Sequence, residues 1–340
     1  MPRVRVPSLA PFFYTMRILV VGGAGYLGSH LVRELLKRGD EAVVVDNLMT
    51  GRREFLPQKI PFFQMDGGLA VGMEDVLRKY TIDACVVCSL LNGGTRSLEM
   101  PFHYYHNNFI AVFYLLQMLV KHGVRRVILS SSLDIYGTDV SGPVDENTAT
   151  NPATPLGKTL SQCEDFLDDL VHAEKLSCIV LRMGNIGGAA GDANIGPWPG
   201  SNNLVAALMD VAHGSREYIS VSGDPAFDIL HISDAVEAHM VSLRRLGNLA
   251  GTETFVLASG TLLPLSQIIA RAENITHRKI RTQDGEIPFD PIPAMRTDVT
   301  LAVQELWRRA PLDIDRVLYG AWEWRKKFPK ANAFVSGYDS

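Results

Sequence analysis

A glycine-spaced turn constrains this chain more than any other segment. Arg17-Ile-Leu-Val-Val21 is a short apolar run, and Gly22-x-x-Gly25-x-x-Gly28 follows it and leads into the helical pattern Tyr26–Arg38. The first glycine permits a tight turn, the second lets the backbone come close to a diphosphate, and the third lets helix and strand pack closely. The unpaired N–H groups and the dipole at the helix tip then favour an anion. A strand before and a helix after are the context this pattern needs.

The rest of the first half repeats the rhythm. Strand-like runs at Glu41–Val45, Ile60–Met65, Ala84–Leu91, Arg126–Ser131 and Ser177–Met183 alternate with helical patterns at Met73–Tyr80, Pro101–His122 and Pro155–Ala173. Near-continuous apolar strands separated by helices predict an α/β fold: a doubly wound parallel sheet with helices on both faces. After Met183 the rhythm breaks. Gly184–Gly200 is rich in Gly, Pro, Asn and Ala, and a Pro-rich loop spans Asp284–Pro293. Between and beyond them lie helical patterns at Ser201–His213, Ser233–Arg245, Pro264–Glu273, Leu301–Arg309 and Asp313–Lys326, and a strand at Glu253–Ala258. The expected division is a leader over 1–15, a dinucleotide-binding domain over 16–183, a smaller C-terminal substrate lobe over 184–330 and a tail over 331–340. Within the lobe, 228–258 is expected to pack back on the sheet.

Composition narrows the function classes. The chain has 340 residues, 46% apolar and 21% charged, with formal net charge −4. That balance offers no basic field for nucleic acid or an anionic membrane. No apolar run reaches the length of about 18–20 residues that a membrane helix needs. Cys85-Val-Val-Cys88 is formally a C-x-x-C pair, but it sits inside an apolar strand and not at a helix tip, so it reads as core. The cysteines fit a reducing cytoplasm. The helix Pro101–His122 is apolar almost all round, so it reads either as an internal core helix or as a subunit interface shared with Pro155–Ala173.

Asp46 ends the second strand, eighteen residues beyond Gly28. A carboxylate there accepts hydrogen bonds from the adenosine ribose hydroxyls and repels a 2′-phosphate, which favours NAD over NADP. Asn47 follows it, Asp66 at the end of the next strand is placed to accept from the adenine amine, and Arg52 and Arg53 can admit NADP if their loop folds back.

With these residues in hand the chain resembles an extended short-chain dehydrogenase/reductase of the NAD-dependent nucleotide-sugar epimerase and dehydratase branch. The segments that carry the resemblance are Gly22–Gly28, Asp46-Asn47-Leu48, Asp66, Tyr104-Tyr-His-Asn-Asn108, Ser130-Ser-Ser132 with Tyr136-Gly137, Arg182–Gly187, Asn202-Asn-Leu204 and Asp228–Asp234. It implies a cofactor set of Gly22, Gly25, Tyr26, Leu27, Gly28, Asp46, Asn47, Asp66, Ser89, Asn108 and Ser130. It also implies a nucleoside-diphosphate sugar held by Asn185, Asn202, Asn203, Leu204, Ile219 and Ser220, with Ser132 at the reacting sugar oxygen. A homodimer through 101–122 and 155–173 completes the implied picture.

The pattern also departs from this branch. Where the resemblance expects a Tyr-x-x-x-Lys pair the chain has Leu156 and Leu160, which offer no titratable proton and no donor. Loss of a positioned acid/base costs typically about 10²–10⁴ in rate. Lys158 falls on a different helix face. Leu90 replaces an expected glycine, and Phe227 an expected arginine. Asp134 stands two residues beyond Ser132, where the dehydratases of this branch carry a carboxylate base, although Leu133 fills the place of their second one. The readings left open are an altered nucleotide-sugar enzyme using Ser132 and Asp134, a silent dinucleotide-binding sensor or structural partner of an active relative, and an enzyme with non-redox chemistry. The pocket asparagines favour the first.

Overall fold

The computed structural model describes residues 15–138, 140, 142–199, 201, 203–285, 295–307 and 313–328. The leader over 1–14, Asn202, most of the Pro-rich loop and the tail over 331–340 lie outside the described residues.

Six parallel strands rise in order: β1 (Arg17–Val21), β2 (Glu41–Asp46), β3 (Phe62–Gln64), β4 (Ala84–Val87), β5 (Arg126–Ser132) and β6 (Ser177–Met183). A seventh, Gly251–Leu257, joins the edge beyond β6. Across the sheet the order runs β3, β2, β1, β4, β5, β6, Gly251–Leu257. The chain therefore reverses direction between β1 and β4, and in doubly wound sheets ligands bind in the crevice at that switch point.

Alternation along each strand divides the core. Ile18 and Val20 pack on one side with Val44, Val86 and Ile128, under the helices Tyr26–Lys37 and Ile232–Arg245. Leu19 and Val21 pack on the other with Val43, Val87 and Leu129, under the helices Ala70–Lys79, Ala111–Lys121 and Pro155–Glu174. Period-two side-chain direction produces this split, and coverage on both sides explains why the strands are apolar throughout. A third core joins the helices Leu204–His213, Leu265–Thr276 and Ile314–Lys327.

Three local differences from the sequence expectation bear on the site. β4 ends at Val87, not at Leu91. A methyl on Gly22, whose φ is +81°, would fall 2.6 Å from the Ser89 amide nitrogen, so the chain leaving β4 is seated directly on the glycine turn. Next, Gly94–Glu99 forms a helix that no sequence signal marked. Finally, the stretch expected as one helix over Pro101–His122 contains a π-helical segment, Tyr105–Ile110, between α-helical Pro101–Tyr104 and Ala111–Lys121. Within it Asn108 is buried: its Oδ1 accepts from the Leu91 amide at 2.7 Å, and its backbone carbonyl accepts from the Cys163 thiol. Insertions of this kind are what widen a helix locally. The apolar girdle of this stretch is not covered all round within the chain. Phe102 is 91% exposed, and Ile110, Phe113 and Tyr114 are exposed on the same run.

No helix among the described residues is long and apolar enough to cross a membrane.

Candidate functional site

The crevice at the β1/β4 switch point is lined by Gly22, Gly25, Asp46, Asn47, Asp66 and Ser89, among others. Sequence reasoning had marked these six. It missed Met49, Thr50, Met65, Gly67, Gly68, Asn107 and the face of Ala111, Val112 and Leu115. A signal for part of this was present in Asp66-Gly67-Gly68: a methyl on Gly68 would fall 2.5 Å from the Ala111 α-carbon, so glycine there lets the loop lie flat on the helix.

Gly25 is the N-cap of the helix Tyr26–Lys37 in extended conformation, and no side chain caps it. The first-turn N–H groups of Tyr26, Leu27 and Gly28 are thus positioned for an anion. Gly28 meets the turn so closely that a methyl would lie 2.2 Å from the Gly22 carbonyl oxygen. Tyr26 turns away, and its hydroxyl donates to the Gly188 carbonyl at 2.7 Å. Asp46 is buried, and its two oxygens accept from the amides of Ala24 at 2.9 Å and Leu48 at 2.8 Å. Burial pushes its carboxyl above the ordinary range, against the pull of those amides. Arg52 stacks over Trp198 at 4.7 Å, and Arg53 donates to the carbonyls of Leu56, Pro57 and Gln58. Both arginines therefore have engagements outside the crevice lining.

The chemical end is built differently. Ser132 and Asp134 do come together: the Ser132 hydroxyl donates to Asp134 Oδ2 at 2.5 Å, and the Asp134 amide donates to Ser132 Oγ. Neither residue lines the crevice. Leu156 and Leu160 are each 1% exposed and belong to one apolar cluster with Leu91, Tyr104, Leu133, Tyr136, Val144 and Met295. Lys158 is exposed on the opposite face of that helix. No Tyr-x-x-x-Lys occurs anywhere in the chain, and the phenols of Tyr104 and Tyr136 in the same cluster are hydrogen-bonded to backbone carbonyls. The Tyr104 hydroxyl donates to the Asn92 carbonyl at 2.7 Å. The Tyr136 hydroxyl donates to the Asp145 carbonyl and accepts from Arg182, whose guanidinium is also paired with Glu164. Burial raises the Tyr136 phenol, with the Arg182 charge opposing.

The remaining expected residues are placed as follows. Asn108 holds the Leu91 segment from below, through both amide atoms. Ser130 lies under the crevice floor, sharing hydrogen bonds with His239 Nε2 at 2.9 Å and the Cys88 thiol at 3.4 Å. Asn185 donates to the Asp228 carbonyl. Asn203 caps the helix Leu204–His213 through the Ala206 amide and donates to the Ile186 carbonyl at 2.8 Å, so its amide is engaged at both ends. Leu204 and Ile219 are buried in the lobe core with Phe227, and Ser220 is half-buried beside them. Asp228 accepts from the amides of Ser259 and Gly260 and from Thr297, and His231 caps the helix Ile232–Arg245, as a strand-to-helix junction requires. The thiols of Cys85 and Cys88 are both pushed up by burial, Cys88 to about 12, which fits core residues and not a redox pair. No metal-ligand cluster is present among the described residues.

A glycine-lined crevice at the switch point, with an acidic residue closing β2, defines a dinucleotide-binding α/β protein of the doubly wound type. The chain belongs to the NAD dependent epimerase/dehydratase family, whose profile matches residues 18–258. It is 30% identical to the UDP-glucose 4-epimerase of Mus musculus over 92% of this chain and 97% of that one. It is 29% identical to the UDP-glucose 4-epimerase of Bacillus subtilis over 96% and 99%. Among solved structures, the UDP-glucose 4-epimerase of Bifidobacterium longum in complex with NAD+ and UDP superposes with TM-score 0.86 at 26% identity, covering 92% of this chain and 99% of that one. The enzyme of Stenotrophomonas maltophila, with NAD and formylated UDP-arabinopyranose bound, gives TM-score 0.86 at 28% identity over 92% and 98%.

Proposed function

We propose that this chain is a nucleotide-sugar-epimerase-type protein that binds NAD and lacks the hydride-and-proton chemistry of its relatives. The residues of the crevice fit the cofactor. Gly22, Gly25 and the amides of Tyr26, Leu27 and Gly28 would hold the diphosphate, Asp46 the adenosine ribose and Asp66 the adenine. When bound, NAD supplies a hydride acceptor. What this chain does not supply is a group to move the matching proton. The observation that carries the reading is the apolar packing of Leu156 and Leu160. Two leucines buried in an apolar cluster bring to these two positions no atom that can give or take the proton such a step needs.

The asparagines that favoured turnover from sequence support it less in the fold. Asn203 is engaged by a helix cap and a carbonyl, and Leu204 and Ile219 are core. A binding role as sensor or structural partner agrees with this. The uncovered apolar run at Phe102, Ile110, Phe113 and Tyr114 suits a homodimer through 101–122 and 155–173, or a pairing with a relative of the same shape.

One observation favours a second reading. The 2.5 Å bond between Ser132 and Asp134 couples a hydroxyl to a carboxylate, which in an altered enzyme orients a sugar oxygen and accepts a proton. Mass spectrometry of ligand released from the purified protein, with an assay for interconversion of UDP-glucose and UDP-galactose, separates the two. NAD without turnover supports the first reading. Turnover that Ser132→Ala and Asp134→Asn abolish establishes the second.

A further inference from the structure

We propose that the crevice recognises the adenosine diphosphate half of its ligand and is indifferent to the nicotinamide half. This makes the chain a redox-blind reader of ADP-ribose-type compounds with free ribose hydroxyls. The proposal rests on the dinucleotide-binding reading above and goes beyond it by naming the part of the ligand that is read.

The first observation is what lines the crevice. Its walls come from the ends of β1, β2 and β4, the Asp66 loop and the helix behind them, and Leu90 and Leu91 are among its lining. Nothing from the end of β5 or from the helix Pro155–Glu174 lines it. The second observation is what Leu90 and Met49 pack against. Leu90 is half-buried and packs both on the core beneath the sheet and on the Leu156 and Leu160 cluster. Met49 lines the crevice and packs on the same cluster. Aliphatic carbon of Leu90 and Met49 thus joins the crevice to the Leu156 and Leu160 cluster.

The third observation concerns the polar groups around the Leu156 and Leu160 cluster, which are already engaged by protein. Ser132 is bonded to Asp134, Ser130 to His239, both amide atoms of Asn108 to Leu91, and the Tyr104 hydroxyl to Asn92. A carboxamide and a second ribose brought there would lose water without gaining matched partners, and that loss cancels the gain from burying the ring. At the other end the ligand meets a helix tip, a buried carboxylate and glycine-spaced backbone, all of which act on the adenosine ribose and the diphosphate. Asp46 excludes a 2′-phosphate by charge, and Arg52 and Arg53 are engaged on Trp198 and on backbone carbonyls.

Isothermal titration calorimetry of the full chain with NAD+, NADH and ADP-ribose tests the proposal. The dissociation constants are expected to agree within about threefold. Saturation-transfer NMR is expected to show adenine and adenosine-ribose protons in contact and nicotinamide protons silent. Asp46→Asn is expected to weaken all three ligands by the same factor. Either dinucleotide binding more than about threefold tighter than ADP-ribose, or a nicotinamide signal as strong as the adenine one, overturns this proposal and leaves NAD binding standing. If none of the three binds at millimolar concentration, the dinucleotide-binding reading itself falls.

Discussion

The adenosine half of the site, which is the crevice, and the chemical half beside it are built from different materials. The adenosine half is made of backbone: glycines that admit close approach, amides at a helix tip, and one carboxylate held by two amides. The chemical half is made of side chains, and here those side chains are Leu90, Leu91, Leu133, Leu156 and Leu160. Binding by backbone depends on shape, and shape is enforced by every residue that packs the turn. Catalysis depends on a few atoms with the right pKa, and aliphatic residues of similar bulk can take their places while the helix stays packed. The comparison teaches that a dinucleotide fold can keep its backbone-built turn while the side chains beside it change, without any change of architecture.

The largest effect is expected from forcing the chemical half back toward its relatives. Leu160→Lys places an ammonium at a site 1% exposed with an aliphatic surround. It should cost about 4 kcal/mol of stability, read by urea denaturation. A variant carrying Leu160→Lys at no cost would show that the cluster is not a sealed core. Gly22→Ala tests the other half. Its methyl would meet the Ser89 backbone at 2.6 Å in a left-handed conformation. A loss of about 3 kcal/mol, with NAD binding abolished, is expected. Retention of binding would deny the close-approach role of the turn.

Acid sharpens the contrast from within. His30 lies in the helix behind the glycine turn and His239 under Ser130, and burial lowers both from 6.5 to about 4. A histidine with a depressed folded pKa binds its proton more readily when unfolded. Stability is therefore full above the unfolded pKa and is lost as pH falls from about 6.5 towards 4, at up to about 1.4 kcal/mol per pH unit for each ring. Urea midpoints across this window should fall, and replacing either ring by a neutral one should halve the slope. Asp46 moves binding in the same pH direction. Its carboxyl is raised by burial, so ribose recognition should begin to weaken at a pH above the ordinary aspartate range. Calorimetric titrations of ADP-ribose should show about a tenfold loss once it is protonated. In stability the sign is opposite for this residue, because protonation relieves the cost of burying its charge. The smallest effect belongs to Ser132→Ala, which removes two partly buried hydrogen bonds to Asp134 outside the crevice. Stability should change by about 1 kcal/mol or less and NAD affinity not at all.

Much of the first half was legible because its signals are local. Strand periodicity, the glycine spacing and Asp46 eighteen residues on each follow from neighbours in sequence, and the doubly wound sheet forms as they require. The lobe was less legible. Asn203 reads as a ligand residue in sequence and is a helix cap in the fold, because asparagine serves both roles and only its distance to Ala206 and Ile186 decides between them. The π-helical segment was invisible because it arises where Asn108 meets Leu91 and Cys163, residues 17 and 55 positions away.

The sequence by itself determined that a diphosphate-binding turn opens the fold, that an acid closes the second strand, and that leucines stand where a phenol and an ammonium are expected. Only the tertiary structure decided what those leucines are for. Side chains from the segments that follow β4 and β5, from the strand Gly251–Leu257, from the helices Pro101–Tyr104 and Pro155–Glu174 and from Met295 and Val299 converge on them, and whether a leucine lines a cavity or fills one depends on which distant residues close around it. Local pattern fixes backbone geometry, because φ, ψ and burial period are set within a few residues. The contents of a pocket are set by packing between elements far apart in the chain, and these sealed the chemical half and left the adenosine half open.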